Sequence, residues 1–388
     1  MSLKLIQIVP TLPPAISGVG DYAHLLARRL LDEQGIDTHF LACHGEFPGG
    51  FAIGGFPVTS IERRSSHELA QMIERQSTSN IAMLHYVGYG YQARGCPLWL
   101  LRGLQDWKRQ DQRRRLVVMF HELFAWGPPW RSSFWNSPLQ RWLVKRLAFL
   151  SDHAATNLCR SQEILRRMTA PSKSAFSVLP VFSNVGEPRA VANLRLRKPR
   201  LIVFGGAAWR RSAYIEHRPS LERACRALGI DEVIDIGAPC ADLPTLSLRR
   251  IEKGNVTAAE LSGELIQAQA GFFTYPVPFL GKSGIFAAYA AHGLVPVTYP
   301  GNGGANQDGL HSGEHFFAEL PAAKDSTKYL EAVATAAHAW YQQHRIQVHA
   351  CHFGKVLNGM ASVEAQLRDA ANDRANRHQA RLAALEPR

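Results

Sequence analysis

The run LKLIQIVP at 3–10 and the stretch PPAISGVGD at 13–21 decide the fold of this chain. The first run is largely apolar and ends in proline, as a strand buried on both faces of a parallel sheet should. After the glycine loop, Asp21 can cap a helix whose apolar side chains recur at helical spacing: Tyr22, Leu25, Leu26 and Leu30. A strand, a glycine loop and a helix in this order predict the first unit of a doubly wound α/β domain.

The same alternation fills both halves of the chain. In the first half it predicts strands at 38–43, 80–86, 116–120, 154–157 and 177–181 and helices at 68–76, 98–110, 139–149 and 161–168. After residue 200 it predicts strands at 201–204, 233–236, 271–275 and 295–298 and helices at 220–227, 258–269, 283–292, 329–344 and 353–367. Short strands alternating with helices imply right-handed βαβ crossovers and parallel sheets. We therefore predict an α/β protein of two doubly wound, Rossmann-like domains.

The domain boundary is predicted at 184–199, where glycine, proline and basic residues replace the apolar periodicity. This linker separates an N-terminal domain at 1–183 from a C-terminal domain at 200–360. Residues 361–388 are predicted to form a surface helix or a frayed tail. A length of 388 residues agrees with two domains, because a single core stops growing at roughly 250–300 residues.

The chain is basic, with 44 Lys and Arg against 32 Asp and Glu and a net charge of +12. Its six cysteines form no C-x-x-C pair, the first apolar run is too short for a signal peptide, and no stretch of about 18 uncharged apolar residues occurs. A cytoplasmic protein is expected. The charge fits a nucleic acid, an anionic membrane face or a phosphorylated substrate. Since RNP, zinc-finger and helix-turn-helix signatures are absent, we expect no nucleic-acid partner.

Ligands of open α/β sheets bind beyond the carboxyl ends of the strands, so residues just after each strand are site candidates. In the first half these are the loop residues Gly18, Gly20 and Asp21, the pair His121 and Glu122, and the rings Tyr86, Tyr89 and Tyr91. Backbone N–H groups at a helix N-terminus suit an anion or a sugar, an ionisable pair suits catalysis, and aromatic rings suit stacking on an acceptor or sugar. The structural alternatives are an ordinary βα turn, a core histidine and tyrosines that cover the sheet.

The second half offers two candidate anion sites. Gly205 and Gly206 precede Arg210 and Arg211, and two guanidinium groups after flexible glycines suit a diphosphate clamp. Further on, a lysine, a hydroxyl and free amide groups meet at the start of the helix at 283–292: Lys282, Ser283 and Gly284. The upstream glycine of a Walker A loop is missing. A solvated basic turn and a simple N-cap at Ser283 are the structural alternatives.

Two other kinds of site are not supported. His344, His349, Cys351 and His352 lie close together in sequence, but their spacing fits no zinc pattern, so no metal site is expected. The G-x-S-x-G elbow of serine hydrolases is also absent.

These residues resemble the GT-B nucleotide-sugar glycosyltransferases, and within them the retaining family-four type. The resemblance covers nearly the whole chain and is carried by Gly18–Asp21, His121, the run at 151–163 and the run at 282–297, which is similar to the family's E-A-M-A-x-G-x-P-V block. It implies two Rossmann-like domains facing across a cleft. It also implies that the C-terminal domain mainly holds the nucleotide sugar and the N-terminal domain holds the acceptor.

The chain departs from the family at one place. The family's two glutamates, with seven residues between them, fall at Leu280 and Ala288, and neither is acidic here. The chain is then either a divergent branch that binds its donor through Lys282, Ser283 and Arg210 with Arg211, or a protein that has lost activity.

We expect transfer of a sugar from a nucleoside-diphosphate sugar to a saccharide or lipid-linked acceptor, with retention and without a metal cofactor, in polysaccharide or glycolipid biosynthesis. Arg210, Arg211 and Lys282 would offset charge on the departing diphosphate, and His121 would orient the sugar. In an inverting enzyme His121, Glu122 or Asp21 would take the proton. The alternatives are an inactive partner protein of the same fold, a sugar-nucleotide epimerase and a basic nucleic-acid-binding protein.

Basic residues remain outside the candidate donor site. Arg113–Arg115 and the helix segment Arg141–Arg146 could face an anionic membrane that carries the acceptor. The expected location is therefore the cytoplasm, with peripheral binding at the inner membrane face as a further expectation.

Overall fold

The computed structural model describes residues 3–15, 17–45, 47–76, 80–125, 127–128, 130–170, 172, 175–302, 304–320 and 326–363. The chain divides into two compact units. Unit 1 consists of Met1–Thr156, Glu163–Ser177 and His349–Arg388, and unit 2 consists of Asn157–Gln162 and Val178–Val348. Most of the predicted tail at 361–388 lies outside the described residues.

Unit 1 is built on an eight-stranded sheet with the order β3-β4-β2-β1-β5-β6-β7-β8. Its strands are β1 Lys4–Val9, β2 Asp37–Ala42, β3 Ala52–Ile53, β4 Phe56–Ser60, β5 Ile81–Tyr86, β6 Arg115–Phe120, β7 His153–Thr156 and β8 Ser177–Val178. The pairs from β4 through β7 are parallel, whereas β3 and β4 form an antiparallel hairpin. All six residues of β5 are buried, as the apolar run predicts for a central parallel strand.

Helices connect these strands and cover the sheet. They are α1 Gly18–Gln34, α2 Ser66–Gln76, α3 Gly88–Tyr91, α4 Leu98–Gln110, α5 Ser132–Leu150 and α6 Cys159–Thr169. A further helical stretch at 346–363 supplies His349 and the residues after it to unit 1. The helix predicted at 139–149 begins earlier, at Ser132, and Pro138 lies inside α5.

Unit 2 is built on a five-stranded parallel sheet with the order β11-β10-β9-β12-β13. Its strands are β9 Lys198–Phe204, β10 Glu232–Ile236, β11 Arg249–Glu252, β12 Ala268–Phe272 and β13 Val295–Val297, and its helices are α7 Ala207–Arg211, α8 Arg218–Leu228, α9 Ala258–Gln267, α10 Gly284–Ala291 and α11 Ser326–Gln342. Short turns at Leu194–Leu196, Ser212–Glu216 and Val277–Lys282 complete the unit. The prediction of an α/β protein with two doubly wound parallel sheets is confirmed.

The units do not follow the predicted boundaries at 183 and 360. His349–Arg388 belongs to unit 1, although it follows the last element of unit 2 in sequence. The reason is visible at His349, which is fully buried and whose Nδ1 lies 2.7 Å from the hydroxyl of Tyr22 in α1. Apolar periodicity predicts the helix but does not say which core the helix packs on.

Helix α1 begins before Asp21. Its N-cap is Ser17, whose hydroxyl accepts a hydrogen bond from the backbone N–H of Gly20, and Asp21 lies in the first turn. Gly20 also allows α1 to lie close to the loop after β1, because a Cβ there would be 2.4 Å from the carbonyl oxygen of Thr11. Among the described residues, no helix combines the length and apolarity needed to cross a membrane.

The two glycines of this turn should respond differently to substitution. Gly20→Ala forces a methyl group onto the Thr11 carbonyl, so we expect a loss of about 1–3 kcal/mol in the free energy of unfolding, measured by urea denaturation. Gly18→Ala has no heavy atom within 4 Å of the new methyl group and serves as the control. Its effect should stay within about 0.5 kcal/mol. Equal losses in both variants would contradict the close approach as the cause.

Candidate functional site

Two histidines meet at the carboxyl ends of β5 and β6. His85 is the second-last residue of β5, His121 follows β6 directly, and His85 Nδ1 lies 3.2 Å from His121 Nε2. The rings stack with centroids 5.4 Å apart and planes at 21°. His85 is fully buried, whereas 9% of His121 is exposed. Burial and the neighbouring His121 hold the pKa of His85 well below its usual range, so His85 stays neutral.

The histidine pair extends inward across the sheet. His85 Nε2 lies 2.8 Å from Oε1 of Gln7 in β1, and Gln7 Nε2 donates to the hydroxyl of Thr38 in β2 at 3.2 Å. Gln7 and Thr38 are both buried. Since β2, β1, β5 and β6 are neighbours in the sheet, these side chains form one continuous polar row, defined as Thr38, Gln7, His85 and His121.

Tyr22 of α1 packs against the outer end of the polar row. Its ring meets His121 edge-on, with centroids 4.8 Å apart and planes at 81°, and only 1% of the residue is exposed. Its hydroxyl contacts His349, while His352 Nε2 lies 3.2 Å from His153 Nε2. In the described part of the chain no group of three or more His, Cys, Asp or Glu residues could hold a metal ion.

Asp21 and Glu122 differ in their surroundings. Asp21 is half-buried in the first turn of α1, and burial raises its pKa to about 6. Glu122 is exposed beside His121. A carboxyl group with a pKa near 6 can both hold and release a proton near neutral pH, so Asp21 has the properties of an acid or base.

The three tyrosines predicted for stacking lie in different environments. Tyr86 and Tyr91 are fully buried, and the Tyr91 hydroxyl donates to the backbone carbonyls of Ile8 and His85. Their rings are therefore core residues that no ligand reaches in this structure. Tyr89 is 42% exposed, and its hydroxyl accepts from Gln140 Nε2 at 3.2 Å.

In unit 2, three chain segments meet beyond the carboxyl ends of the strands. A Cβ on Gly205 (φ +118°) would lie 2.7 Å from Ile285 Cδ1 in α10, and a Cβ on Gly237 (φ +147°) would lie 2.6 Å from the Gly205 carbonyl oxygen. Both glycines adopt left-handed backbone conformations that other residues avoid. The close approach of Ile285 and of the Gly205 carbonyl therefore leaves no room for a side chain on either glycine.

The two predicted clamp arginines have separate environments. Arg210 is 2% exposed, and its Nε donates to Oδ1 of Asp235 at 2.8 Å while Nη2 contacts Oδ2 of the same carboxylate. Asp235 is fully buried in β10, and its hydrogen bonds raise the pKa of Arg210 further. Arg211 is exposed and donates to the Ala241 carbonyl oxygen at 2.9 Å. Arg210 thus ties α7 to β10, and Arg211 is the guanidinium at the surface.

The start of α10 carries the other predicted anion site. Ser283 is the N-cap and accepts from the Phe286 N–H at 3.2 Å, while Gly284 is exposed. Lys282 is half-buried, with Nζ 5.6 Å from the centroid of the Phe279 ring. Arg160 approaches the same ring, with Cζ at 5.8 Å. Sequence reasoning missed Arg160, because it is far from Lys282 along the chain and belongs to the short segment that joins unit 2.

An asparagine-rich loop holds the segment before α10 in place. Asn302 Nδ2 donates to the Tyr275 carbonyl at 2.9 Å, and Asn306 Nδ2 donates to the Val277 carbonyl at 2.8 Å. A Cβ on Gly281 would lie 2.9 Å from Oδ2 of Asp308, whose Oδ1 accepts from the Cys159 N–H at 2.7 Å. This carboxylate borders the anion loop, defined as residues 281–284. Leu280 and Ala288, at the positions of the family's two glutamates, are each 1% exposed.

An aromatic pair lies beside the same loop. Trp209 of α7 and Tyr275 have ring centroids 4.9 Å apart, and the Thr274 hydroxyl donates to the Trp209 carbonyl at 3.2 Å. Trp209 is 37% exposed. These contacts join α7 to the residues that follow β12.

The raised pKa of Asp21 has a measurable consequence. The folded chain holds this proton to a higher pH than the unfolded chain, so the stability from this group is complete below about pH 4 and is lost as the pH rises through about 6. Asp21→Asn avoids that loss. Its free energy of unfolding relative to wild type should therefore be more favourable at about pH 7.5 than at about pH 4.5, by urea denaturation at both values.

Asp32→Asn, which removes an exposed carboxyl group from the same helix, is the control variant and is measured at both pH values. If Asp21→Asn behaves in the same way, burial does not raise the pKa of Asp21.

No protein-family model and no curated protein sequence matches the chain. Solved structures match over most of its length. A glycosyltransferase from Rickettsia africae ESF-5 matches with a TM-score of 0.61 and 10% identity over 93% of this chain and 99% of its own. The lipopolysaccharide outer core galactosyltransferase WaaB, in its apo form, matches with a TM-score of 0.54 and 12% identity over 92% of this chain and 99% of its own.

A third match is an alpha-glucosyltransferase in complex with UDP-glucose and DNA containing an abasic site. Its TM-score is 0.55, with 10% identity over 92% of this chain and 99% of its own. Likeness at such low identity concerns the backbone alone. The chain therefore has the GT-B fold of glycosyltransferases, with two Rossmann-like domains.

Proposed function

We propose that the chain is a retaining glycosyltransferase that moves a sugar from a nucleoside-diphosphate sugar to a saccharide or lipid-linked acceptor, in polysaccharide or glycolipid biosynthesis. The observation that carries this proposal is the arrangement at the carboxyl edge of the unit 2 sheet. There Lys282 precedes the N-terminus of α10 and approaches the same Phe279 ring as Arg160, and exposed Arg211 ends the short helix α7 after β9. The GT-B fold makes a nucleotide-sugar donor the natural ligand for this edge.

The donor site is built from positive charge at fixed positions. A helix N-terminus carries a partial positive charge, and Arg211, Lys282 and Arg160 add side chains that pair with phosphate oxygens. Arg210 takes a supporting role in this proposal, because its guanidinium already pairs with buried Asp235. These cations offset the charge of the departing diphosphate, and no metal or other cofactor is assigned to the step.

During transfer, the bond between the anomeric carbon and the diphosphate oxygen breaks, and its electron pair leaves with that oxygen. The acceptor hydroxyl oxygen forms the new bond on the same face, and its proton passes to the leaving phosphate oxygen. His121 then orients a sugar hydroxyl, and exposed Tyr89 is the ring available for stacking. Asp21 supplies a carboxyl group with a pKa near 6 for a hydroxyl at the same edge of unit 1.

The alternatives with the same fold differ in what they do with a nucleotide sugar. An inactive partner protein would turn over no nucleotide sugar, and an epimerase would change the sugar without an acceptor. Asp308 bears on this choice, because its carboxylate borders Gly281 in the loop that lacks the family's acidic residues. We take this carboxylate beside the loop as support for an active enzyme of a divergent branch.

Nucleotide binding is the first measurement. Thermal shift should be used to screen four nucleoside diphosphates, UDP, GDP, ADP and dTDP, and the nucleotide sugars that contain them. We expect at least one nucleotide and its nucleotide sugar to stabilise the wild type. Lys282→Ala and Arg211→Ala should each lower the affinity for that ligand roughly 10- to 100-fold, as expected for a lost charge-assisted contact. Arg223→Ala, exposed on α8, is the matched control and should bind as wild type does.

Equal stabilisation in wild type and both site variants would contradict the diphosphate clamp. No stabilisation by any nucleotide would contradict the function and favour the inactive partner. Arg210→Ala is unsuitable for this purpose, because it leaves Asp235 buried without its partner and would cost about 3–5 kcal/mol of stability.

The acceptor side of the proposal includes an anionic membrane surface, supported by α5. This helix buries one face in the core through Leu143, Val144, Leu147 and Ala148. A second apolar stripe faces outward at spacings of four, three and seven residues: Trp135 (73% exposed), Leu139 (38%), Trp142 (44%) and Phe149 (42%). Lys145 and Arg146 lie beside this stripe, with Arg146 Cζ 5.4 Å from the Trp142 ring centroid. Exposed tryptophans flanked by basic residues are typical of helices that lie in a membrane interface.

Vesicle sedimentation tests this surface. We expect binding to vesicles containing phosphatidylglycerol and much weaker binding to phosphatidylcholine alone. Replacing Arg141, Lys145 and Arg146 with Gln should weaken binding about 100-fold, since each cation near the surface contributes about 1 kcal/mol. Trp135→Ser with Trp142→Ser should also reduce binding, whereas Arg223→Gln with Arg226→Gln on α8 should not.

Equal binding to both kinds of vesicle, or none, would overturn the membrane surface. DNA binding that falls steeply with salt and is lost in the same α5 variants would assign this face to nucleic acid instead.

A further inference from the structure

The polar row across β2, β1, β5 and the end of β6 does more than fill the core. We propose that Gln7 and His85 are positioning residues that fix the ring of His121 in one tautomer, with the hydrogen on Nε2 and the acceptor on Nδ1. The inference about the tautomer concerns the protein alone. Its meaning for sugar transfer rests on the function proposed above.

The inner end of the polar row determines which atom donates and which accepts in each of its hydrogen bonds. Gln7 Nε2 donates to the Thr38 hydroxyl, so the amide oxygen of Gln7 faces His85. An amide oxygen can only accept, and His85 Nε2 must therefore carry a hydrogen. Because His85 is neutral at full burial, its Nδ1 then holds a lone pair. The neighbouring nitrogen, His121 Nε2, must in turn donate.

The opposite tautomer of His121 would place two lone pairs against each other 3.2 Å apart in a buried site. Neither atom could turn to water, because His85 is fully buried and His121 nearly so. Leaving a buried acceptor without a donor is unfavourable, so the hydrogen-bonded pair of His85 and His121 excludes the opposite tautomer. Tyr22 packed edge-on against His121 further limits rotation of the ring.

The row orients His121 but does not carry a proton away from it. It ends at an amide and a hydroxyl, Gln7 and Thr38, and neither group accepts a proton near neutral pH. When His121 is neutral, Nδ1 is therefore the nitrogen of its ring that can accept a hydrogen bond. In the proposed transfer, a sugar or acceptor hydroxyl donates to this nitrogen, so that His121 orients the hydroxyl.

The tautomer can be read directly from ring nitrogen and N–H signals by NMR with ¹⁵N-labelled histidine, in the full chain without nucleotide or acceptor. The chain has 16 histidines, so spectra of His85→Gln and His121→Gln identify the two rings. We expect both rings to be neutral with slowly exchanging hydrogens on Nε2 and pyridine-type Nδ1. Signals showing the hydrogen on Nδ1 in either ring, or a tautomer average at His121, would overturn the inference.

Gln7→Met keeps the length of the side chain and removes the amide. In this variant we expect the His121 Nε2–H signal to lose its protection and the nitrogen shifts to move toward a tautomer average. Gln140→Leu is the matched control, because Gln140 is another buried glutamine of unit 1 whose amide bonds Tyr89 and the Arg94 carbonyl. It should leave both histidine signals in place. Unchanged His121 signals in Gln7→Met would show that the row does not fix the ring.

Activity gives a separate readout. If the chain transfers sugar, kcat/KM in Gln7→Met should fall roughly tenfold, the ratio that corresponds to one buried hydrogen bond. Fixed His121 signals in a chain that turns over no donor would refute the proposed function and leave the tautomer assignment standing. Full activity in Gln7→Met with lost His121 signals would overturn the link between the row and transfer.

Discussion

Parallel pairing is the constraint on which the other features depend. In unit 1, β1 pairs with β2 and β5, and in unit 2, β9 pairs with β10 and β12, always in the same direction. Most connections between parallel strands therefore return over the face of the sheet as a helix, and the parallel strands end at the same edge. That edge receives His121 in unit 1, and Gly205 and the segment before α10 in unit 2. Residues far apart in sequence become neighbours there without any long-range sequence signal.

The same constraint determines which polar residues can be buried. Parallel strands are covered on both faces, so a polar side chain inside them must find its partner within the sheet. Gln7, His85 and Thr38 satisfy one another in this way across three strands. Asp235 in β10 meets the same requirement with Arg210 from α7. In both units, buried polar side chains within the strands hold in place the residues at the carboxyl edge of the sheet.

Burial also separates residues that look equivalent in sequence. Arg210 and Arg211 are adjacent, yet the first is enclosed against Asp235 and the second faces solvent. Tyr86, Tyr89 and Tyr91 alternate with glycine or valine, yet only Tyr89 of the three is exposed. A short helix turns neighbouring side chains in different directions, and small shifts in its start decide which of them enters the core. The basic residues behind the net charge of +12 differ in the same way. Arg210 forms a buried ion pair with Asp235, whereas Lys145 is exposed.

The sequence by itself determined the fold class, the repeated alternation in two halves and the positions of most strands and helices, because apolar periodicity and glycine loops are local signals. It also located the segments that follow the strands, including His121 and Lys282. Only the tertiary structure decided that Ser17 caps α1, that 349–388 belongs to unit 1, that Asp308 and Arg160 reach the anion loop, and that Gln7 contacts His85. These features depend on which surfaces pack together, and packing joins residues whose separation in sequence carries no pattern.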